Sequence, residues 1–176
     1  MVTVIKNRIL LATCMMLLVV LAWQPTALQA DALPHGERRI EREIYQLVNE
    51  HREEQGLPPM AYNDAIAEVA QDHSSDMARG IVAFGHGGFK DRFDILKSKL
   101  AFIAAGAENV AYGAQDAEQA VKLWLRSAGH KKNIQGNFTH TGIGVVRNND
   151  GTLYFTQLFV KCSNQYRCDS FTRASI

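Results

Sequence analysis

Several familiar catalytic signatures are missing from this 176-residue sequence. It has no H-E-x-x-H zinc-protease helix, no G-x-S-x-G nucleophile elbow, no Walker phosphate loop and no cysteine-nucleophile motif. These absences exclude the chemistries most easily read from a short motif. No internal repeat or low-complexity run occurs, so a solenoid or a disordered tail is not indicated. Cysteine is scarce, with three residues. Once Cys14 is set aside, Cys162 and Cys168 alone cannot make a zinc knuckle. Charge of one sign is lacking too. The first thirty residues hold Lys6 and Arg8 and no acid, so removing them leaves 17 of the 19 basic residues against 18 acidic ones. A chain so close to neutrality has no general pull toward nucleic acid or an anionic membrane.

One long apolar run is present, from Ile9 to Trp23. It follows a basic start and precedes small residues ending at Ala30. That order fits a secretory signal peptide over residues 1–30, cleaved after Ala30. Leu28 is large for its place before that cut. An uncleaved anchor is the alternative, but the run is short for a span, which needs about 20 residues. Cys14 precedes most of the run, which argues against a lipoprotein acylation box at Leu11-Ala12-Thr13-Cys14. The expected product is a secreted or periplasmic monomer with no stable membrane span after cleavage. Its single domain covers residues 31–176, about 146 residues, enough for a well-buried core. In an exported chain Cys162 and Cys168 suggest a disulfide closing a short loop; two free thiols are the alternative.

After a loose lead-in over 31–36, Ile40, Ile44, Leu47 and Val48 recur at helical spacing. His51, among Glu50, Arg52 and Glu53, reads as solvated. Leu57-Pro58-Pro59-Met60 is an extended connector. Asn63 is an N-cap for a second helix with Ile66, Val69, Ala70, His73 and Met77 on one face. A histidine on an apolar stripe is more often a packed, hydrogen-bonded residue than a ligand, and His73 is read that way. Gly85-His86-Gly87-Gly88 is a glycine-rich turn that leaves an imidazole uncrowded. Residues 93–100 read as a short helix, and 101–106 as a weak strand or buried loop. Glu108 and Asn109 then sit in an apolar segment, where each needs a partner. Glu108 either faces a pocket or serves as a turn cap or lysine partner on the surface. A third helix begins at Asp116, buries Ala117, Ala120, Val121, Trp124 and Leu125, and ends at Gly129-His130. Two strands, 141–146 and 153–160, flank Asn149-Asp150-Gly151, a hairpin signal. The second is apolar on both alternating sets, so it needs cover on both faces. The expected architecture is an α/β three-layer sandwich, and His86, Glu108 and His130 are expected to face one pocket.

The pieces occur in a recognisable order. Asn49-Glu50-His51-Arg52 with Gly56-Leu57-Pro58, Phe84-Gly85-His86, Glu108-Asn109-Val110-Ala111, Trp124 through Gly129-His130 to Asn133-Ile134, and Gly142-Ile143-Gly144-Val145 together resemble a CAP (SCP-like) domain. This is the superfamily of cysteine-rich secretory proteins, venom allergens and plant pathogenesis-related proteins, here in its compact bacterial form. The likeness spans about residues 41–160. It implies an α-β-α sandwich with a small, mainly antiparallel sheet. It also implies a cleft with a His-Glu-Glu-His tetrad, in which the histidines of some members bind zinc. Carried over, His86 and His130 are the histidines and candidate Zn²⁺ ligands, and Glu108 is the first acid. The second acid falls at Ser127, which offers only a neutral hydroxyl. The glycine usual before the motif acid is Ala107 here, with Gly106 one place earlier.

Two imidazoles suit Zn²⁺ at about 2.0–2.1 Å. Binding should weaken as pH falls below about 6.5. Glu108 is a third ligand, a general base toward metal-bound water, or an orienting partner of an imidazole. Three functions follow: a binding module for a lipid, glycan or peptide; a zinc-dependent hydrolase using His86, His130 and Glu108; or a structural or defence protein with a vestigial site. The incomplete acid set favours the module.

Overall fold

The computed structural model describes residues 32–163. The leader, its cleavage point after Ala30 and Cys168 lie outside the described residues. The elements run α1 (Ala32–Glu54), β1 (Ala61–Tyr62), α2 (Asp64–Ala78), α3 (Phe89–Lys99), β2 (Ile103–Tyr112), α4 (Ala117–Arg126), α5 (Ala128–Ile134), β3 (His140–Arg147) and β4 (Leu153–Cys162). The sheet order is β1-β3-β4-β2. Among the described strands only the short β1 is parallel to its neighbour; β3 and β2 flank β4 antiparallel.

The double-sided patterning of β4 has the expected cause. Leu153, Phe155 and Phe159 pack with Ile40, Ile44 and Val48 of α1, with Trp124 of α4 and with Ile134 of α5. Leu158 and Val160 pack on the other face with Ile66, Val69 and Ala70 of α2 and with Leu96 of α3. Helices cover both faces, giving three layers. Helix α2 lies directly on β3. A Cβ at Gly142 would stand 2.2 Å from the Ala67 nitrogen, and one at Gly144 would stand 2.2 Å from that of Gln71. Ser74 fastens the same contact, its buried hydroxyl lying 2.9 Å from the Gly144 carbonyl and 2.8 Å from the Thr156 hydroxyl.

Two polar residues of α1 set the path of the connector after it. The Asn49 amide donates to the Met60 carbonyl and accepts from the Met60 N–H, at 3.0 and 2.9 Å. Arg52, 1% exposed, donates to the carbonyls of Pro58, Ile134 and Gly136. A buried guanidinium thus fills the carbonyl end of α5. His51 is half-buried and lies 3.2 Å from the Gln135 amide, so it is not simply solvated.

Several boundaries differ from the sequence reading. Residues 32–36 are helical; Pro34 is tolerated because the first turn needs no internal N–H donors. Helix α3 starts at Phe89, four residues early, because Gly88 takes a left-handed conformation (φ 74°) that turns the chain into it. Residues 103–112 form one continuous strand, so Glu108 lies mid-strand opposite Leu158 and not at a turn. Gly106 matters there for another reason, since a Cβ would meet the Phe93 ring at 2.2 Å. The third helix ends at Arg126, and Gly129-His130 belongs to the separate helix α5. Among the described residues, no helix is long and apolar enough to cross a membrane.

Candidate functional site

Glu108 is the centre of the cluster. Its side chain is 2% exposed and points from β2 toward α3 and the loop before it. Arg92, in the first turn of α3, grips it with two nitrogens: Nε donates to Oε2 at 2.8 Å and Nη2 to Oε1 at 2.9 Å. The third arm, Nη1, donates to the Gly87 carbonyl at 2.7 Å. His86 Nδ1 donates to Glu108 Oε1 at 2.9 Å. The carboxylate is therefore buried with an arginine and an imidazole on it, not paired with a surface lysine. A planar guanidinium matches a carboxylate two-handed, which a lysine cannot do.

The loop carrying His86 is held from a second side. His73, buried on α2, places Nε2 2.9 Å from the Gly85 carbonyl. A carbonyl accepts only, so Nε2 carries the proton. Burial pushes the His73 pKa below its ordinary value, the Gly85 carbonyl opposing this, so the ring sits neutral. His73 is thus the packed, bonded histidine expected of it, and it anchors the Gly85–Gly87 backbone.

His130 arrives from α5. Its ring centroid lies 6.2 Å from that of His86, the planes inclined by 55°. Burial lowers its pKa, and the neighbouring His86 adds to the effect. Two asparagines dock α5 on β2. Asn109 donates to the His130 carbonyl at 3.1 Å; Asn133 donates to the Glu108 carbonyl at 3.1 Å and to Asn109 Oδ1 at 2.9 Å. The structure so brings His86, Glu108 and His130 together. Ser127 is a different matter. It caps α4 and precedes α5, and among the described residues its hydroxyl makes no hydrogen bond to any of the three.

Arg92 was absent from the sequence-derived set. It sits among Lys90, Asp91 and Asp94, which look like one solvated face, and the helix was placed one residue beyond it. The usable signal was Glu108 itself, a carboxylate in an apolar segment that required a cation.

The donor set bears on zinc. Glu108 has both oxygens engaged, which leaves two imidazoles, and His86 has Nε2 turned away from its carboxylate partner. Among the described residues no cluster of three or more His, Cys, Asp or Glu is placed to hold a metal. The residues suit a two-imidazole site completed by water or ligand. They do not suit a centre with three protein ligands.

Helices on both faces of a four-stranded, mostly antiparallel sheet, with a His-Glu-His cluster at its edge strand β2, define an α-β-α sandwich domain. The chain belongs to the CAP, or cysteine-rich secretory protein, family, whose model matches residues 45–159. Two Bacillus subtilis proteins are each 34% identical: the uncharacterized protein YkwD over 72% of this chain and 49% of its own length, and the uncharacterized membrane protein YlbC over 78% and 39%. The chain thus spans half or less of these relatives. Among solved structures, an extracellular protein containing an SCP domain from Bacillus anthracis superposes with TM-score 0.66 at 30% identity, over 76% of this chain and 44% of that one. An outer surface protein from Borrelia burgdorferi shares the fold at TM-score 0.59 and 20% identity, over 69% and 92% of the two chains.

Proposed function

We propose that the protein is an exported binding module whose cleft, around His86, Glu108 and His130, takes an extracellular lipid, glycan or peptide. The observation that supports binding over turnover is the state of Glu108. Both oxygens are engaged by Arg92, and one also by His86, so the carboxylate is not free to act as a base or to complete a metal centre. Export is supported by the leader-like first thirty residues and by the likeness to a protein described as extracellular. Zinc, when bound, would be held by His86 through Nε2 and by His130, and would supply a Lewis-acid contact to a ligand oxygen.

The test is calorimetric zinc titration of the purified protein beside His86→Ala and His130→Ala. Each variant should keep its fold and lose most of the zinc affinity. Zinc binding abolished by His73→Ala but unchanged in those two would defeat the assignment. A hydrolytic reading draws on one specific contact, the carboxylate on His86 Nδ1, which orients the ring as such partners do in catalytic sites. Cleavage of a peptide library that requires metal and is lost in Glu108→Gln would establish it over the binding module.

A further inference from the structure

Beside the cleft three aromatic rings stand in a row. Phe84 and Tyr112 have centroids 4.7 Å apart with planes inclined by 60°, and Tyr112 and Tyr154 lie 5.9 Å apart with planes 24° apart, so the row is twisted. Phe84 is 47% and Tyr112 56% exposed. The row has a rigid mount. Tyr112 and Tyr154 are register partners on β2 and β4, and Phe84 is two residues from His86 on the loop held by His73 and Arg92. Exposed aromatics normally cost solubility unless they serve an interaction. Phe84 also lines a cavity of about 540 Å³ between α2, the loop and α3.

The charges around that cavity select the occupant. Its two permanent cations are already engaged, Arg92 with Glu108 and Lys99 with Glu68. Asp72, Asp76 and Asp91 also line it, and among the described residues no ion pair or side-chain hydrogen bond engages them. The cavity therefore presents acceptors with net negative charge. That repels phosphate headgroups, and a lipid tail laid on Val69, Val82 and Ile95 would bring its headgroup against these aspartates. An extended peptide adding to β2 would need its outer edge. There the Glu108 carbonyl is taken by Asn133 and the Val110 carbonyl by the Trp124 indole. A neutral sugar chain, which turns from ring to ring, satisfies both features: its C–H faces meet the exposed, mutually inclined rings of Phe84 and Tyr112, and its hydroxyls donate to carboxylates.

We infer that the Phe84–Tyr112–Tyr154 row and the adjoining aspartate-lined cavity form a subsite for a neutral glycan, which leads the chain of sugars up to His86. This rests on the reading of the cleft as a binding site. The test is titration of the purified protein with cellotetraose and with chitotetraose, followed by amide chemical shifts. Shifts should concentrate at Phe84, Tyr112, Tyr154 and the loop around His86. Tyr112→Ala should weaken binding about tenfold or more, as truncation of an aromatic anchor does, while Tyr112→Phe retains it. Absence of shifts with both sugars, or affinity unchanged in both Tyr112→Ala and Phe84→Ala, overturns the inference.

Phosphatidylcholine vesicles and a decapeptide library run in parallel separate the two levels. If either perturbs His86 and His130 while neither sugar moves the row, the glycan subsite falls and the cleft reading stands. If the sugars bind through the row and His86→Ala and His130→Ala change no binding, the row stands and the cleft reading falls.

Discussion

Replacing Arg92 with methionine removes the cation from a carboxylate whose side chain is 2% exposed. Breaking a buried pair from one side typically costs about 3–5 kcal/mol, because the remaining charge stays desolvated. Two features of this site lower that figure. Arg92 is itself 12% exposed, so some water already reaches the pair, and His86 remains as a donor to Oε1. The expected loss is about 3 kcal/mol, near the bottom of the range. In a domain of this size that lowers the melting midpoint by about 10 °C at pH 7. Arg92→Lys should fall between parent and Arg92→Met, since it keeps the charge but loses the fork and the hold on Gly87. Lys90→Met supplies the control. It lies on the same helix in an exposed pair with Asp94 and should leave the midpoint unmoved. The assay is thermal unfolding by circular dichroism at pH 7. An Arg92→Met midpoint within a degree of the parent at pH 7 would refute the placement of Arg92 on Glu108.

Trp124→Ala should cost about 3–5 kcal/mol, from the cavity it opens and from the Val110 carbonyl that loses its indole donor; a near-parental denaturation midpoint would mean α4 is not packed on the sheet. Gly144→Ala should cost about 1–3 kcal/mol by pushing α2 off β3, seen as a lower midpoint and, in hydrogen exchange, faster opening of α2 than of α4. Glu41 gives the pH test. Burial raises its pKa to about 7, against the Val145 N–H and Arg38, which pull it down. A folded pKa above the unfolded 4.5 means that folding carries no penalty below pH 4.5 and a growing one as pH rises through 7. Glu41→Gln should therefore stabilise the protein at pH 8, by about 1 kcal/mol after discounting for solvent screening, and the gain should vanish at pH 4. Parallel pH profiles for parent and variant would contradict this.

How far the sequence could be read depended on the kind of signal. Helices α1, α2 and α4 and the β3–β4 hairpin declared themselves through periodicity, capping residues and turn chemistry, which are local. The need of β4 for cover on both faces gave the layers. Strand β1 escaped because two residues after a proline pair show no alternation; only the partner, β3, makes them a strand. Strand β2 was cut short because Ala104, Ala105 and Gly106 lack side chains that advertise a pleat. Arg92 and Arg52 were illegible for one shared reason. Each stands in a charged run on a helix, and a buried arginine is spelled like a solvated one until the acceptors from distant segments are in place. In Arg52 those acceptors are carbonyls of residues 134 and 136, more than eighty positions away. His73 was readable as a packed residue from its apolar stripe. What it packs for, the carbonyl of Gly85, was not.

The arginine also bears on what the cleft can do. By resemblance, the fourth position of the tetrad is Ser127, and among the described residues its hydroxyl bonds to none of the other three. A cleft with two acids can give one to an arginine and keep the other as a base. Here the single acid is spent on Arg92, and the imidazoles are the remaining groups of the cluster able to accept a proton. The same guanidinium holds the Gly87 carbonyl while His73 holds that of Gly85, so the loop presenting His86 is fixed from α3 and α2 at once. A loop pinned at two consecutive turns is poorly suited to open and close over a substrate. It is well suited to hold one shape against a ligand, which lowers the ordering cost of binding. Loosening it should then weaken recognition before it disturbs the fold. His73→Gln tests this, since its amide can still reach toward Gly85 while lacking the rigid ring. Ligand affinity in that variant should fall while the melting midpoint moves by only a few degrees, and a large thermal shift with intact affinity would show that the clamp serves stability instead.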